Sequence, residues 1–296
     1  MMQMSDKLHI PRITKDVLKK YKFHLTKGLG QNFLIDGDVI DNICNAAEIN
    51  KDDNVLEIGP GIGTLTQHLC EKAKKVVSIE IDRQLEAIHH ETLPYNNLTL
   101  IYDDFMKVDL IKLFNDHFLK EKVKVVANIP YYITTPIVMR LLEERLPLNS
   151  ITVMVQKEVA NRFSSLPGSK DYGSITVVIR YFADTKLAFI VPSIVFIPQP
   201  KVDSAVIVMK LHEHPPVQLD DENLFFKLVK GAFGQRRKTL VNSVSGTVPE
   251  IKKDELLAII TKLGFNPAIR GEKLSIHDFA LIANELNRLS ESAQRL

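Results

Sequence analysis

Residues 54–66 read NVLEIGPGIGTLT, an apolar-rich run, three glycines at alternate positions and then a helical pattern. Such a strand leading through glycines into a helix opens a βα unit, because glycine permits the tight turn and lets backbone approach a ligand. The texture repeats. Segments 75–81 (KVVSIEI), 98–102 (LTLIY), 123–129 (VKVVANI) and 150–156 (SITVMVQ) read as strands, and 36–48, 64–72, 83–93, 109–118 and 136–146 as helices. Strands alternating with helices predict a parallel sheet covered on both faces. Beyond residue 172 the pattern changes. SITVVIRYF, TKLAFIV and SAVIVMKL read as strands with no long helices between them, which predicts antiparallel additions at the sheet edge. HEHPP at 212–216 reads as a linker, followed by helices over 221–246, 253–264 and 275–290. The expected architecture is α/β: a mostly parallel sheet with an antiparallel edge in residues 1–211, then a small all-α domain in 212–296.

Composition sets outer bounds. The chain of 296 residues is 45% hydrophobic and 25% charged, ordinary for a globular protein. No apolar run reaches the length of a membrane helix, and the first residues lack an apolar signal region. With Cys44 and Cys70 as the only thiols, no disulfide framework is expected, and the chain is placed in the cytoplasm, away from membranes. Net charge is only +2, yet Arg12, Lys15, Lys19, Lys20, Lys22 and Lys27 cluster near the start and Arg236, Arg237 and Lys238 near the end. Such clusters either bind phosphates or are solvated faces. The histidines show no pairing with cysteines, so no metal site is expected, and neither a P-loop nor a nucleophile elbow is present.

The chemistry concentrates at strand ends. The spacing G-x-G-x-G departs from the dinucleotide pattern, and Pro60 removes a donor where a pyrophosphate would sit. Glu80 ends the second strand of the βα series, where an acid accepts from both ribose hydroxyls of a nucleoside. Asp104 follows the third and can accept from an adenine amine; Asp103 beside it could do likewise. A nucleoside site without a phosphate cradle fits S-adenosylmethionine. After the fourth strand, Asn128-Ile129-Pro130-Tyr131-Tyr132 interrupts the apolar run, and proline ends the ladder. The Asn128 amide oxygen and the main-chain carbonyl of Ile129 or Pro130 could accept both N–H groups of an adenine amine, with Tyr131 stacking on a flipped base.

Taken together, LGQNFLID (29–36), EIGPGIGTLT (57–66), IEID (79–82), DDF (103–105), NIPYYITTPI (128–137), QKEVANR (156–162), YGSITV (172–177), FIPQPKVDSAV (196–206) and FGQRRKTL (233–240) resemble the ribosomal RNA adenine N6-dimethyltransferases, in particular those of the bacterial small subunit. The resemblance spans nearly the whole chain. It implies a Rossmann-like S-adenosylmethionine-dependent methyltransferase sheet with a helical RNA-binding C-terminal domain. Gln31, Asn32 and Leu34 would line the cofactor entrance, with Gly59, Gly61, Glu80, Asp104 and Asn128 as cofactor contacts. Asn128, Pro130 and Tyr131 would form the acceptor site, and Phe196 would close on the target base. The implied partner is small-subunit RNA within an immature 30S particle, met by a monomer. At the third strand, Asp103-Asp104 departs from the family's usual polar-Asp pair.

Four further readings remain. Lys157, Glu158 and Arg162 suit a solvated, ion-paired helix face or an RNA contact. Residues 235–238 in a helical segment would clamp phosphate. A large-subunit methyltransferase of the antibiotic-resistance type shares the catalytic motifs, but the match through FGQRRKTL and LSIHDFA favours the small-subunit type. A noncatalytic assembly or transcription factor is disfavoured by the intact glycine loop, Glu80 and Asn128-Pro130-Tyr131.

Overall fold

A computed structural model describes residues 7–294, which fall into two compact units, 7–160 with 185–211, and 161–184 with 212–294. In the first, helix α1 (Pro11–Lys20) precedes a short strand β1 (Phe33–Leu34) and helix α2 (Gly37–Ala46), which Asp36 caps by accepting from the Val39 N–H. The βα series follows as β2 (Asn54–Ile58), α3 (Thr64–Lys72), β3 (Lys75–Glu80), α4 (Glu86–Thr92), β4 (Leu98–Tyr102), α5 (Leu110–Phe118), β5 (Val123–Asn128), α6 (Thr134–Glu143) and β6 (Leu148–Gln156). Helix α7 (Lys157–Ser164) leads into the second unit, and β7 (Ala183–Val191) leads back to β8 (Phe196–Ile197) and β9 (Ser204–Leu211).

The strands form a seven-stranded sheet in the order β4-β3-β2-β5-β6-β9-β7. β2 through β6 are joined in parallel pairs, and β9 runs antiparallel to β6, the edge arrangement expected from the sequence. All five residues of β2 are buried, as a strand covered on both faces requires. β1 and β8 make a separate antiparallel ribbon, with Leu34 opposite Phe196. Ile40, Ile43, Val55, Leu65, Leu69 and Val126 pack together on one side of the sheet.

The second unit differs from expectation in three ways. Residues 174–182 form helix α8 (Ser174–Phe182), not a strand. A short run this rich in Ile, Val and Thr is ambiguous by periodicity, and its surroundings decide it. Val177 and Tyr181, one helical turn apart, join Phe225, Leu228 and Phe279 in a common apolar core. Residues 161–184 therefore belong with the helices rather than with the sheet, so the domain division at 211/212 is not the one observed. The Tyr172 hydroxyl donates to the Leu274 carbonyl at 2.9 Å, and the Gly168 N–H donates to the Glu272 carbonyl at 2.7 Å. Finally, the helix expected over 221–246 is two, α9 (Glu222–Gly234) and α10 (Leu240–Ser245). Between them Gln235–Lys238 turn, the Lys238 N–H donating to the Gln235 carbonyl, and Thr239 caps α10. Helices α11 (Lys253–Lys262) and α12 (Ile276–Gln294) complete the unit. No helix among the described residues is long and apolar enough to cross a membrane.

Tyr172 is fully buried in this core. Tyr172→Ala is expected to cost about 3–5 kcal/mol, and Tyr172→Phe, which only leaves the Leu274 carbonyl without its donor, about 1–2 kcal/mol. Urea denaturation followed by circular dichroism measures both.

Candidate active site

The strand order reverses at β2: the chain passes from β2 to β3 on one side and later enters β5 on the other. The loops leaving β2 and β5 thus meet at a switch point at the carboxyl edge, where open α/β sheets bind ligands. A cavity opens there, walled by residues 29–34 from the N-terminal side, by Gly59, Pro60 and Gly61, by Glu80, and by residues 128–132.

The glycine loop is pinned at Gly61, whose φ of +58° favours glycine and whose added Cβ would lie 3.1 Å from the Phe33 ring. The Gly61 N–H donates to Glu80 Oε2 at 3.0 Å. Its carbonyl lies 2.5 Å from His89 Nε2. That carbonyl can only accept, so Nε2 carries the proton and Nδ1 faces the Tyr102 hydroxyl at 2.8 Å as acceptor. Burial lowers the His89 pKa, consistent with a neutral ring. The Gly59 N–H continues the ladder to the Ile79 carbonyl at 2.9 Å and Gly63 N–H bonds the Pro60 carbonyl at 3.0 Å. With Pro60 lacking an N–H, few donors remain for a pyrophosphate.

The charges around the cavity are also wrong for phosphate. Glu57, Glu80 and Asp82 are at most 5% exposed. Burial pushes the Glu80 carboxyl up to about 7, against hydrogen bonds from the Asp82 and Gly61 N–H groups that pull it down. Burial likewise raises Glu57 to about 7, although its Oε2 accepts from Thr66 at 2.8 Å and Ser78 at 2.6 Å. Glu57 Oε1 is buried with no hydrogen-bond partner. An unmatched carboxylate oxygen at the cavity wall fits a cationic ligand, as the ammonium and sulfonium of S-adenosylmethionine are.

Asn128 ends β5. Its Nδ2 donates to the Asn32 main-chain carbonyl at 3.2 Å. Since that carbonyl cannot donate, the amide orientation is dictated, and Oδ1 is left to accept from a ligand. Gln31 donates to Asp82 Oδ2 at 2.8 Å and accepts from the Thr26 N–H at 3.2 Å, which fixes the N-terminal wall, and Leu34 lines it. The Pro130 carbonyl accepts from the Ile133 N–H and the Thr134 hydroxyl. Tyr131 lines the cavity and Tyr132, 59% exposed, stands at it too.

Two expected residues stand apart from this cavity. Asp104 lies beyond the end of β4, its Oδ1 accepting from the Met106 N–H at 2.9 Å and its Oδ2 3.6 Å from Lys107 Nζ. Phe196 is 2% exposed, because its pairing with Leu34 turns it into the core with Ile40 and Ile43. The 235–238 cluster is a turn rather than a helix face. Arg236 there donates to the Lys170 carbonyl at 2.8 Å and lies 3.5 Å from Glu272, while Arg237 and Lys238 are exposed. On α1, Thr14 and Val17 are buried, and Arg12, Lys15 and Lys19 face solvent. Among the described residues no cluster of His, Cys, Asp and Glu could hold a metal ion.

Glu57, Asp82 and His89 were not among the residues expected to form the site. For Glu57 a signal existed: a carboxylate inside an apolar strand that is buried on both faces marks a functional position.

The family model for ribosomal RNA adenine dimethylases matches residues 22–288. The ribosomal RNA small subunit methyltransferase A of Alkaliphilus oremlandii is 45% identical over 282 residues, covering 95% of this chain and 98% of that protein. The protein of the same name from Bacillus cereus is 48% identical over 280 residues, covering 93% and 96%. Among solved structures, a dimethyladenosine transferase from Plasmodium falciparum superposes with a TM-score of 0.74 at 27% identity, covering 87% of this chain and 98% of that one. The 23S rRNA methyltransferase ErmE does so with 0.65 at 25%, covering 86% and 99%. Strand order, cavity and relatives agree, and this chain belongs to the ribosomal RNA adenine dimethylases, enzymes that draw their methyl groups from S-adenosylmethionine.

Proposed function

We propose that this enzyme dimethylates N6 of two adjacent adenines in the 3′-terminal hairpin loop of 16S ribosomal RNA, acting as a monomer in the cytoplasm on an immature 30S particle late in its assembly. Identities of 45% and 48% to small-subunit enzymes over nearly full length, against 25% to the 23S enzyme, support the small-subunit substrate over the large-subunit alternative. The observation that carries the chemistry is the orientation of Asn128.

S-adenosylmethionine supplies a methyl group on a sulfonium that departs as a neutral thioether. Glu80 would accept from the ribose hydroxyls and Glu57 Oε1 would take the cationic portion, while Gln31, Asn32, Leu34, Gly59 and Gly61 shape the wall. Asp104 would take the adenine amine of the donor through Oδ2, since the Met106 N–H engages only Oδ1. At the acceptor, Asn128 Oδ1 takes one N–H of the target amine. The Pro130 carbonyl is engaged in its own turn, so the second acceptor is the Ile129 carbonyl. Gripping both hydrogens localises the nitrogen lone pair toward the methyl group and holds a near-attack geometry. No strong base is required, since the amine becomes acidic as it alkylates. Tyr131 offers the ring on which an extruded base stacks; Phe196 could add a second face only after leaving the core. Arg237 and Lys238, with the solvent-facing cations of α1, would engage phosphates.

Asn128→Ala is expected to lower kcat about 10²–10³-fold while donor affinity, by calorimetry, changes far less; wild-type turnover would reject the role. Because Glu80 and Glu57 are both raised to about 7 and serve the donor when ionised, donor affinity should weaken by at least about tenfold between pH 8 and pH 6, and Glu80→Gln should reduce that dependence without abolishing it, Glu57 remaining; calorimetry across this range checks both. Replacing Arg236, Arg237 and Lys238 with alanine should weaken RNA binding and reduce its log–log salt slope by about 2, with filter binding at several salt concentrations as the measurement.

A further inference from the structure

Tyr131 carries a contact whose consequence reaches beyond the motif that contains it. Its hydroxyl lies 2.7 Å from Ser204 Oγ. Ser204 opens β9 and is fully buried, followed by the buried apolar residues Ala205, Val206 and Ile207. A hydroxyl at such a position is costly unless it is hydrogen-bonded, and the tyrosine satisfies it. The register explains the meeting. Asn128 on β5 pairs with Met154 on β6, and Gln156, at the end of β6, pairs with Ser204. β9 runs antiparallel, so its first residue lies at the same carboxyl edge as the turn that carries Tyr131. The bond therefore spans the end of β6 and joins the acceptor turn to the antiparallel edge of the sheet.

Tyr131 is half-buried and lines the cavity, and Pro130 restricts the backbone immediately before it. The ring can still swing about its side-chain torsions unless its far end is held. We infer that Ser204 is a positioning residue for methyl transfer: by holding the Tyr131 hydroxyl it stops the side chain swinging about its Cα–Cβ bond and so fixes the place of the ring on which the target adenine stacks. This rests on the reading of Tyr131 as the acceptor wall. A base stacked on a ring held in one place presents its amine to Asn128 from one position; on a ring free to swing it samples several, and fewer of them are productive. Burial raises the Tyr131 pKa, so its hydroxyl keeps its proton and remains able to share it with Ser204.

The test uses the full-length enzyme, S-adenosylmethionine and immature small subunits, with Ser204→Ala, Tyr131→Phe, the double variant and Tyr131→Ala. Ser204→Ala and Tyr131→Phe should each lower kcat about tenfold, with the KM for the particle and the donor affinity within about twofold of wild type. The double variant should be no slower than either single one, since both delete the same bond. A wild-type kcat in Ser204→Ala, single losses that multiply in the double variant, or an equal loss of donor affinity would each overturn the assignment. Tyr131→Ala separates the two readings. If it turns over normally, the stacking wall itself is wrong; if it is crippled while Ser204→Ala is not, only the role of Ser204 falls.

Discussion

A strand with no exposed residue governs the layout of this enzyme. β2 is hydrogen-bonded along both edges, to β3 and to β5, and covered on both faces. Its polar business can be conducted only where it ends. The chain there turns through Gly59 and Gly61, and the neighbouring strands deliver Glu80 and Asn128 to the same edge. Gly61 is then gripped through its N–H by Glu80 and through its carbonyl by His89, so the loop is a fixed wall rather than a mobile one. The proposed donor and acceptor sites are neighbours because β2 and β5 are neighbours.

The acidic lining has a cost. Glu57 and Glu80 both have folded-state pKa values raised from 4.5 to about 7, chiefly by burial. A carboxyl group raised in this way contributes stability that is fully present below its unfolded pKa and is lost as pH rises through the folded one. Near neutral pH the ligand-free protein therefore carries unfavourable charge at its active site. A cationic ligand relieves that charge, so stability has been given up where binding recovers it.

Much of this arrangement was legible in the sequence because its signals are local. The βα alternation, the glycine loop, the acid ending β3 and the Asn-Ile-Pro-Tyr interruption each lie within a few residues, and the cavity brings Gln31, Asn32, Leu34, Gly59, Gly61, Glu80, Asn128, Pro130 and Tyr131 together. The failures have a common cause: they depend on partners distant in the chain. Residues 174–182 are helical because Val177 and Tyr181 find Phe225 and Leu228. The break after Gly234 reflects the Gln235 N–H, which donates to Ser243 Oγ at 3.0 Å, and the cap supplied by Thr239. Phe196 is committed to the core by its pairing with Leu34, and His89 acts on Gly61 through a fold contact that no spacing reveals.

The carbonyl that orients Asn128 comes from Asn32, ninety-six positions upstream. The two asparagines share no local motif, and the bond exists only once the N-terminal segment has settled against the sheet edge. A chain with its sheet assembled and that segment still loose would have the glycine loop and both buried glutamates in place, but its amide could rotate. Such a species would also lack the cavity wall of Gln31, Asn32 and Leu34, so one stretch of chain completes the pocket and fixes the amide together.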